Sequence, residues 1–380
     1  MRLMVGKMQL LSVGVIAGAS LATTMPTAQS VSTVTVRSDQ DVHGRMGWIL
    51  ENGKIHVGIV KGGGHIAEIS FISSNPRLSI NPMFIPPGNS YMGHMVCFPN
   101  FGPASPEERQ NGIGGHGEAN AVEWQETRPA EISTEGLTFF YGAELPKEQY
   151  RIERAVSMKA GRSQIEVQEW IENLMPYDRP YNLNEHPTFG APFTAPDTTI
   201  LDMPGTNAMS DPRRTAGNQW APTREFMWPN APKPDGGTIS VREFHAAPGT
   251  QVFTIVLADQ SKPISWFTIF NREYPLLVGY VFPTVDHPWI SDWQNQPAPG
   301  ATQRIARAVM FGTSPWDEGL RKSVERAQLF GASTYKFIAA RQRLSTSFTA
   351  FLKEIPTGFG GVQDVRAVDG QYEIVPRKTE

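Results

Sequence analysis

Two histidines stand where an imidazole can meet a ligand. His116 lies in Gly112-Ile-Gly-Gly-His-Gly117, a run with so little side chain that its backbone can approach another molecule closely. His186 lies in Tyr181-Asn-Leu-Asn-Glu-His-Pro-Thr-Phe-Gly190, behind a strand-like stretch ending at Glu172-Asn173. Pro187 pushes the residue before it toward extended geometry, which places His186 at a strand end and not inside a helix. Imidazole is the side chain best matched to giving and taking protons near neutral pH. On composition alone, a core histidine bonded to a neighbouring carbonyl is the other reading of His186.

Other chemistries find less support. Gly112 to Gly117 matches the dinucleotide pattern G-x-G-x-x-G, but that pattern needs a hydrophobic strand before it and a helix after it. Here the polar stretch Ser105 to Asn111 precedes it and the strand-like Ala119-Asn-Ala-Val-Glu-Trp124 follows. Cys97 is the only cysteine, so no internal disulfide can form. Its apolar setting, Met95-Val-Cys-Phe98, is that of a small core residue. His65, His94, His116 and His186 are scattered without H-E-x-x-H or other tight ligand spacing, so neither a metal nor another cofactor is expected.

The elements that must position these residues read as strands and turns. Ile55, Val57 and Ile59 alternate with their neighbours, and Gly62-Gly63-Gly64 turns the chain before Ile66 to Ile72. Arg151 to Met158 and Gln164 to Glu172 flank Lys159-Ala-Gly-Arg162 as a long hairpin. Gln251 to Leu257, Ser265 to Phe270, Leu276 to Phe282 and Arg304 to Phe311 are further β-type runs, and Thr334 to Ala339 and Arg343 to Leu352 form the last pair. No βαβ rhythm appears, which argues against a doubly wound parallel sheet. One helix is signalled, with Ser314 as N-cap, Pro315 at the first position, Asp317 and Glu318 in the first turn, and Gly331 as the stop. Residues 200–238 read as one long irregular loop, a kind of segment that is usually functional.

The bulk numbers agree with an all-β protein: 35 glycines and 31 prolines punctuate short strands, and 40% hydrophobic residues can build a large core. A formal charge of −3 argues against a nucleic-acid partner. Arg2 and Lys7 precede the uncharged run Met8 to Ala22, the layout of a secretory signal cleaved after Ala22 or Ala28. The expectation is an exported protein, periplasmic or secreted, without stable membrane insertion once residues 1–28 are removed. Residues 29–46 would be a flexible leader and residues 47–380 a single domain.

The run Asn184-Glu-His-Pro-Thr-Phe-Gly190 resembles the N-H-x-Y-F-N-L stretch of aldose 1-epimerases, and Gly114-Gly-His-Gly with Trp124 behind it resembles their L-H-G-G…W segment. The two histidines come in family order, 70 residues apart, and the resemblance extends over roughly residues 48 to 350. It implies a large antiparallel β-sandwich of the galactose mutarotase type, a small-molecule sugar as partner, His186 as general acid and His116 as a sugar ligand. Where the family has an Asn-Arg pair before the first histidine, this chain has His94-Met-Val-Cys-Phe-Pro-Asn-Phe101, so Asn100 is the polar substitute. Where the family has a late glutamate base, this chain has Asp286-His-Pro-Trp-Ile-Ser-Asp-Trp-Gln-Asn-Gln-Pro297. Asp292 is chosen over Asp286 because Ile290-Ser-Asp-Trp-Gln294 reads as a strand that can hold a carboxylate rigidly toward a cleft. Glu185, beside His186, joins the substrate-binding group. Trp220, Trp228, Trp289 and Trp293 are candidates to stack on a sugar, with Trp293 preferred. The leading expectation is anomer interconversion of a free sugar by acid/base ring opening. The alternatives are a non-catalytic carbohydrate-binding protein and a carbohydrate-cleaving hydrolase or lyase, which needs two facing carboxylates such as Glu185 with Asp292 or Asp286.

Overall fold

Alternating side chains give this chain strands that hide one face or both, and most of these assemble into two large antiparallel sheets. The computed structural model describes residues 34–88, 91–214 and 224–377. The larger sheet has eleven strands, in the order Val34–Val42, Arg45–Asn52, Ile55–Val60, Ile66–Phe71, His94–Cys97, Asn184–Gly190, Ala306–Gly312, Trp289–Gln296, Thr250–Ala258, Gly205–Ser210 and Glu225–Met227. The smaller has eight: Thr199–Asp202, Ile264–Asn271, Leu276–Pro283, Arg343–Glu354, Gln164–Asn173, Tyr150–Lys159, Gly136–Leu145 and Gln125–Ser133. This is the all-β sandwich that the alternation predicts, and the hairpin Tyr150–Lys159 with Gln164–Asn173 lies where it is expected.

The sheets meet through a large aromatic and aliphatic layer. Phe311 of the larger sheet stacks on Phe282 of the smaller at 4.2 Å between ring centres, and Trp48 meets Phe139 at 5.3 Å. Burial of rings of this size dominates core energetics. Set in the same layer is a fully buried charged group. Arg154 donates to Glu169 at 2.6 Å and to both oxygens of Glu185 at 2.6 and 2.7 Å, and His94 Nε2 is 2.6 Å from Glu185. Two carboxylates share one guanidinium, and burial with the nearby Glu185 charge pushes the Glu169 carboxyl up to about 8.

That shift has a testable sign. Folded Glu169 keeps its proton to about pH 8 while the unfolded group loses it near 4.5, so its contribution falls as pH rises between those values. Glu169→Gln removes the titration and keeps an amide oxygen for Arg154. The melting temperature of the variant relative to wild type is expected to move in the variant's favour from about pH 4.5 to 8 and to level off above. A difference that stays constant with pH would rule this account out.

Four sequence expectations need correction. Residues 34–46 are no flexible leader, because Val34–Val42 pairs with Arg45–Asn52 as the edge of the larger sheet. The late helix is Leu320–Arg326, shorter than its signals suggest, because Gly319 (φ +89°) breaks the backbone after Pro315 to Glu318. Residues 200–238 include the strands Gly205–Ser210, Glu225–Met227 and Asn230–Pro232. The segments at 334–339 and 343–352 do not pair with each other: Lys336–Ile338 pairs with Arg179–Tyr181, and Arg343–Glu354 with Gln164–Asn173 and Leu276–Pro283. A second helix, Pro106–Gln110, fills the polar stretch before the glycine run and is closed by a Ser105–Glu108 capping box. The signal segment and Trp220 lie outside the described residues. Among the described residues, no helix is long and apolar enough to cross a membrane.

Candidate active site

The central strands of the larger sheet are covered on both faces, and their outward face carries a second apolar cluster. Met95, Cys97, Phe253, Ile255, Trp289 and Met310 belong to it, roofed by Phe101 and Trp316 from loops. Direct strand partners place His186 with Met95 and Asn184 with Cys97 on this outward face. Glu185 and Pro187, opposite Val96 and His94, turn to the interior. The cleft therefore opens on the side of the sheet away from the smaller sheet.

Into it come both histidines. His116 and His186 meet edge to face with ring centres 5.7 Å apart, and Tyr91 stands edge-on to His186, also at 5.7 Å. Around them a cleft of about 110 Å³ is lined by Tyr91, Phe101, Arg214, Gln251, Phe253, Trp293, Met310 and Asp317. His116 reaches it from a loop folded tightly onto residues 98–102. Its backbone N–H donates to the Gly102 carbonyl at 2.7 Å, and its carbonyl accepts from the Phe98 N–H at 3.2 Å. Gly117, at φ +79°, makes this approach possible, since a Cβ there would lie 2.1 Å from the Phe98 oxygen.

Hydrogen bonding fixes the protonation of His116. The Gly102 N–H can only donate, and it points to His116 Nδ1 at 3.4 Å, with Cys97 Sγ at 3.2 Å from the same nitrogen. Nδ1 is therefore the acceptor, and the neutral ring carries its proton on Nε2. Burial, with Arg214 adding, lowers the His116 pKa to about 4. His186 places Nδ1 3.0 Å from the Thr188 hydroxyl, and burial with the neighbouring His116 holds its pKa well below the ordinary value. Both rings are neutral at pH 7, so each can take a proton as well as share one. Burial also pushes the Cys97 thiol up, which leaves it an inert neighbour and not a nucleophile.

The carboxylate of the cleft is Asp317. Ser291 Oγ donates to the Pro315 carbonyl at 2.7 Å and pins the 313–319 segment onto the sheet. Asp317 then receives Arg214 on one oxygen and Arg213 on the other, the latter at 3.0 Å. Burial raises its pKa while the two guanidinium groups oppose the rise. Sequence reasoning assigned Asp317 to the first turn of a helix and overlooked Arg214. The signal that could have found Arg214 was the irregular stretch 200–238, already marked as the kind of segment that carries function.

Of the residues chosen from sequence, His116, His186 and Trp293 come together in the cleft. Asp292, Glu185 and Asn100 do not. Asp292 shares the interior face of its strand with Ile290 and is fully buried against Arg307, which donates to both carboxylate oxygens at 2.9 Å. Glu185 is held by Arg154 and His94 between the sheets. Asn100 is consumed by the loops, its Oδ1 accepting the Leu320 N–H at 2.6 Å where the late helix lacks a capping side chain of its own. Asp286 lies in a turn and accepts from Thr346 at 3.0 Å. Neither Glu185 nor Asp292 can therefore face a glycosidic bond in this cleft. Trp289 donates to the Ser333 carbonyl beneath the loops, and Trp228 is nearly buried in the interior. Among the described residues, no group of three or more histidine, cysteine or acidic side chains is placed to hold a metal ion.

No family model matches the chain, and no curated protein matches it in sequence. Solved structures do match it in fold. A proposed aldose 1-epimerase from Klebsiella pneumoniae aligns at TM-score 0.57 and 12% identity, over 85% of this chain and 84% of that one. A galactose mutarotase related enzyme from Lactobacillus acidophilus aligns at 0.53 and 14%, over 82% and 100%. A galactose mutarotase-like protein from Lactobacillus casei aligns at 0.53 and 14%, over 80% and 99%. At such identities the likeness concerns architecture, and the chain has the fold of the galactose mutarotase-like proteins.

Proposed function

We propose that this chain is an aldose 1-epimerase-like enzyme that opens and recloses the ring of a free sugar in the cleft of His116 and His186. The observation that carries the reading is the meeting of two neutral imidazoles and one carboxylate, Asp317, in a single cleft walled by Trp293 and Tyr91. Ring opening removes the proton of the anomeric hydroxyl, forms the carbonyl and breaks the bond to the ring oxygen. That oxygen keeps the bonding electron pair and takes a proton, and after rotation the same steps run backward. No cofactor is needed to balance this, only two groups that each give and take a proton. Neutral His186 takes the anomeric proton. Asp317, whose pKa burial raises, gives the ring oxygen a proton from its acid form, and reclosure returns both protons. The Nε2–H of His116 donates to a sugar oxygen, and Arg214 orients Asp317. Export of the mature chain belongs to the same proposal and rests on the basic start and apolar run within residues 1–28.

The test follows optical rotation after dissolving pure α-glucose or α-galactose with the mature protein. Acceleration over the spontaneous rate is expected, and Asp317→Asn should lower it by roughly 100-fold, the scale of a positioned proton-transfer group. An unchanged rate in folded Asp317→Asn would remove Asp317 from the reaction. A second reading, sugar binding without turnover, draws on the engagement of Asp317 by Arg213 and Arg214, which disfavours its protonation. That reading requires measurable sugar affinity by calorimetry with no change in the rate of mutarotation.

A further inference from the structure

The cleft that holds the histidines does not end at Trp293. A second compartment of about 330 Å³ adjoins it, three times as large, and Tyr91, Gln251 and Trp293 line both. Its remaining wall includes Phe84, Pro86, Asn295, Thr302, Gln303 and Arg304. The two volumes differ in character. The inner one gathers the titratable groups, whereas the outer one offers flat apolar surfaces and planar amides, with no carboxylate and no imidazole. Trp293 is half-buried on the boundary and Tyr91 stands beside Phe84 with ring centres 6.3 Å apart. An amide presents a donor and an acceptor side by side, which matches a pair of adjacent hydroxyls, and aromatic faces match the C–H face of a sugar ring.

We infer that the ligand of this site is the reducing end of a disaccharide or longer saccharide, with its first ring against His116 and His186 and its second ring in the outer compartment. This rests on the sugar reading above and narrows it. A single ring in the inner cleft leaves the larger volume without a role. The chemistry also fixes how the two rings are joined. Ring opening needs the anomeric hydroxyl of the first ring free, so the second sugar must be linked through another of its hydroxyls. Trp293 then packs against both rings at their junction, while Gln303 and Arg304 act on the second ring alone.

Calorimetry with glucose, galactose, maltose, cellobiose and lactose tests this, with mutarotation rates measured on the same samples. At least one of the three disaccharides is expected to bind tenfold or more tightly than glucose and galactose. Thr302 is exposed at the rim of the outer compartment, and Thr302→Trp fills it from outside. That variant should bring the disaccharide down to monosaccharide affinity and leave glucose and galactose unchanged. Equal affinities for one ring and two, or a Thr302→Trp effect of the same size on both, would overturn the inference, as would the binding of none of the five sugars. A tenfold preference with no acceleration of mutarotation supports the two-ring site and removes only the epimerase reading.

Discussion

Asp292→Ala is expected to cost about 3–5 kcal/mol of folding stability and to leave sugar turnover per folded molecule unchanged. The reason is what it abandons. Arg307 has no exposed surface, and its Nε and Nη2 each bond Asp292 at 2.9 Å, so the truncation strands a buried charge. The carbonyls of Val241 and Arg242, which Arg307 also reaches at 3.1 and 3.3 Å, satisfy donors but carry no compensating charge. Urea melts read the stability, and optical rotation normalised to folded protein reads the activity. Should the single variant not fold, Asp292→Leu combined with Arg307→Leu removes both charges together, which is often close to neutral. That double variant should turn over sugar like wild type. Lost activity at full stability would put Asp292 back into the reaction.

The opposite pattern is expected of His186→Ala: a loss of roughly 100-fold or more in turnover, with a loss of stability smaller than that of Asp292→Ala. The ring fills space among Tyr91, Phe101 and His116 but strands no charge when removed. His186 faces the cleft, and its ring bonds only the Thr188 hydroxyl among the described residues, so removing it breaks no charge pair. Initial rates from freshly dissolved α-sugar give the activity, and thermal melts confirm the fold. Near-normal turnover in the folded variant would leave the two-imidazole arrangement without its principal member. Taken together, the two variants test by experiment whether the faces of the sheet divide in this way, one side chain holding the fold and the other acting on the sugar.

These contrasts explain how much of the molecule the sequence disclosed. Gln164–Asn173 was legible because alternation and turn residues agree, Leu276–Pro283 because it is a short continuous apolar run, and His116 and His186 because they sit in glycine- and proline-marked settings. Asp292 was misplaced for a physical reason. Period-two alternation correctly groups it with Ile290, but Trp289–Gln296 is buried along nearly its whole length, so pointing inward has two meanings there. Nothing in the local pattern tells the sandwich interior from the cleft. Asp317 was hidden differently, since Ser314-Pro-Trp-Asp317 satisfies every local rule for a helix start. Gly319 and the distant Arg213 and Arg214 override those rules, and partners a hundred positions away leave no mark on a local motif.

In the strand Asn184–Gly190 the cleft-facing His186 stands next to the interior Glu185, and in Trp289–Gln296 the cleft-lining Trp293 stands next to the interior Asp292. Each strand is thus written in two interleaved frames, one addressed to the cleft and one to a charged partner across the core. Sliding either strand by a single position would set a carboxylate in the cleft and an imidazole or indole against a buried guanidinium. Misalignment is therefore penalised twice, and the same pairing that anchors the fold proofreads the site. It also leaves the cleft frame free to vary: a descendant could exchange the residues of the cleft while every second position keeps the strands in place.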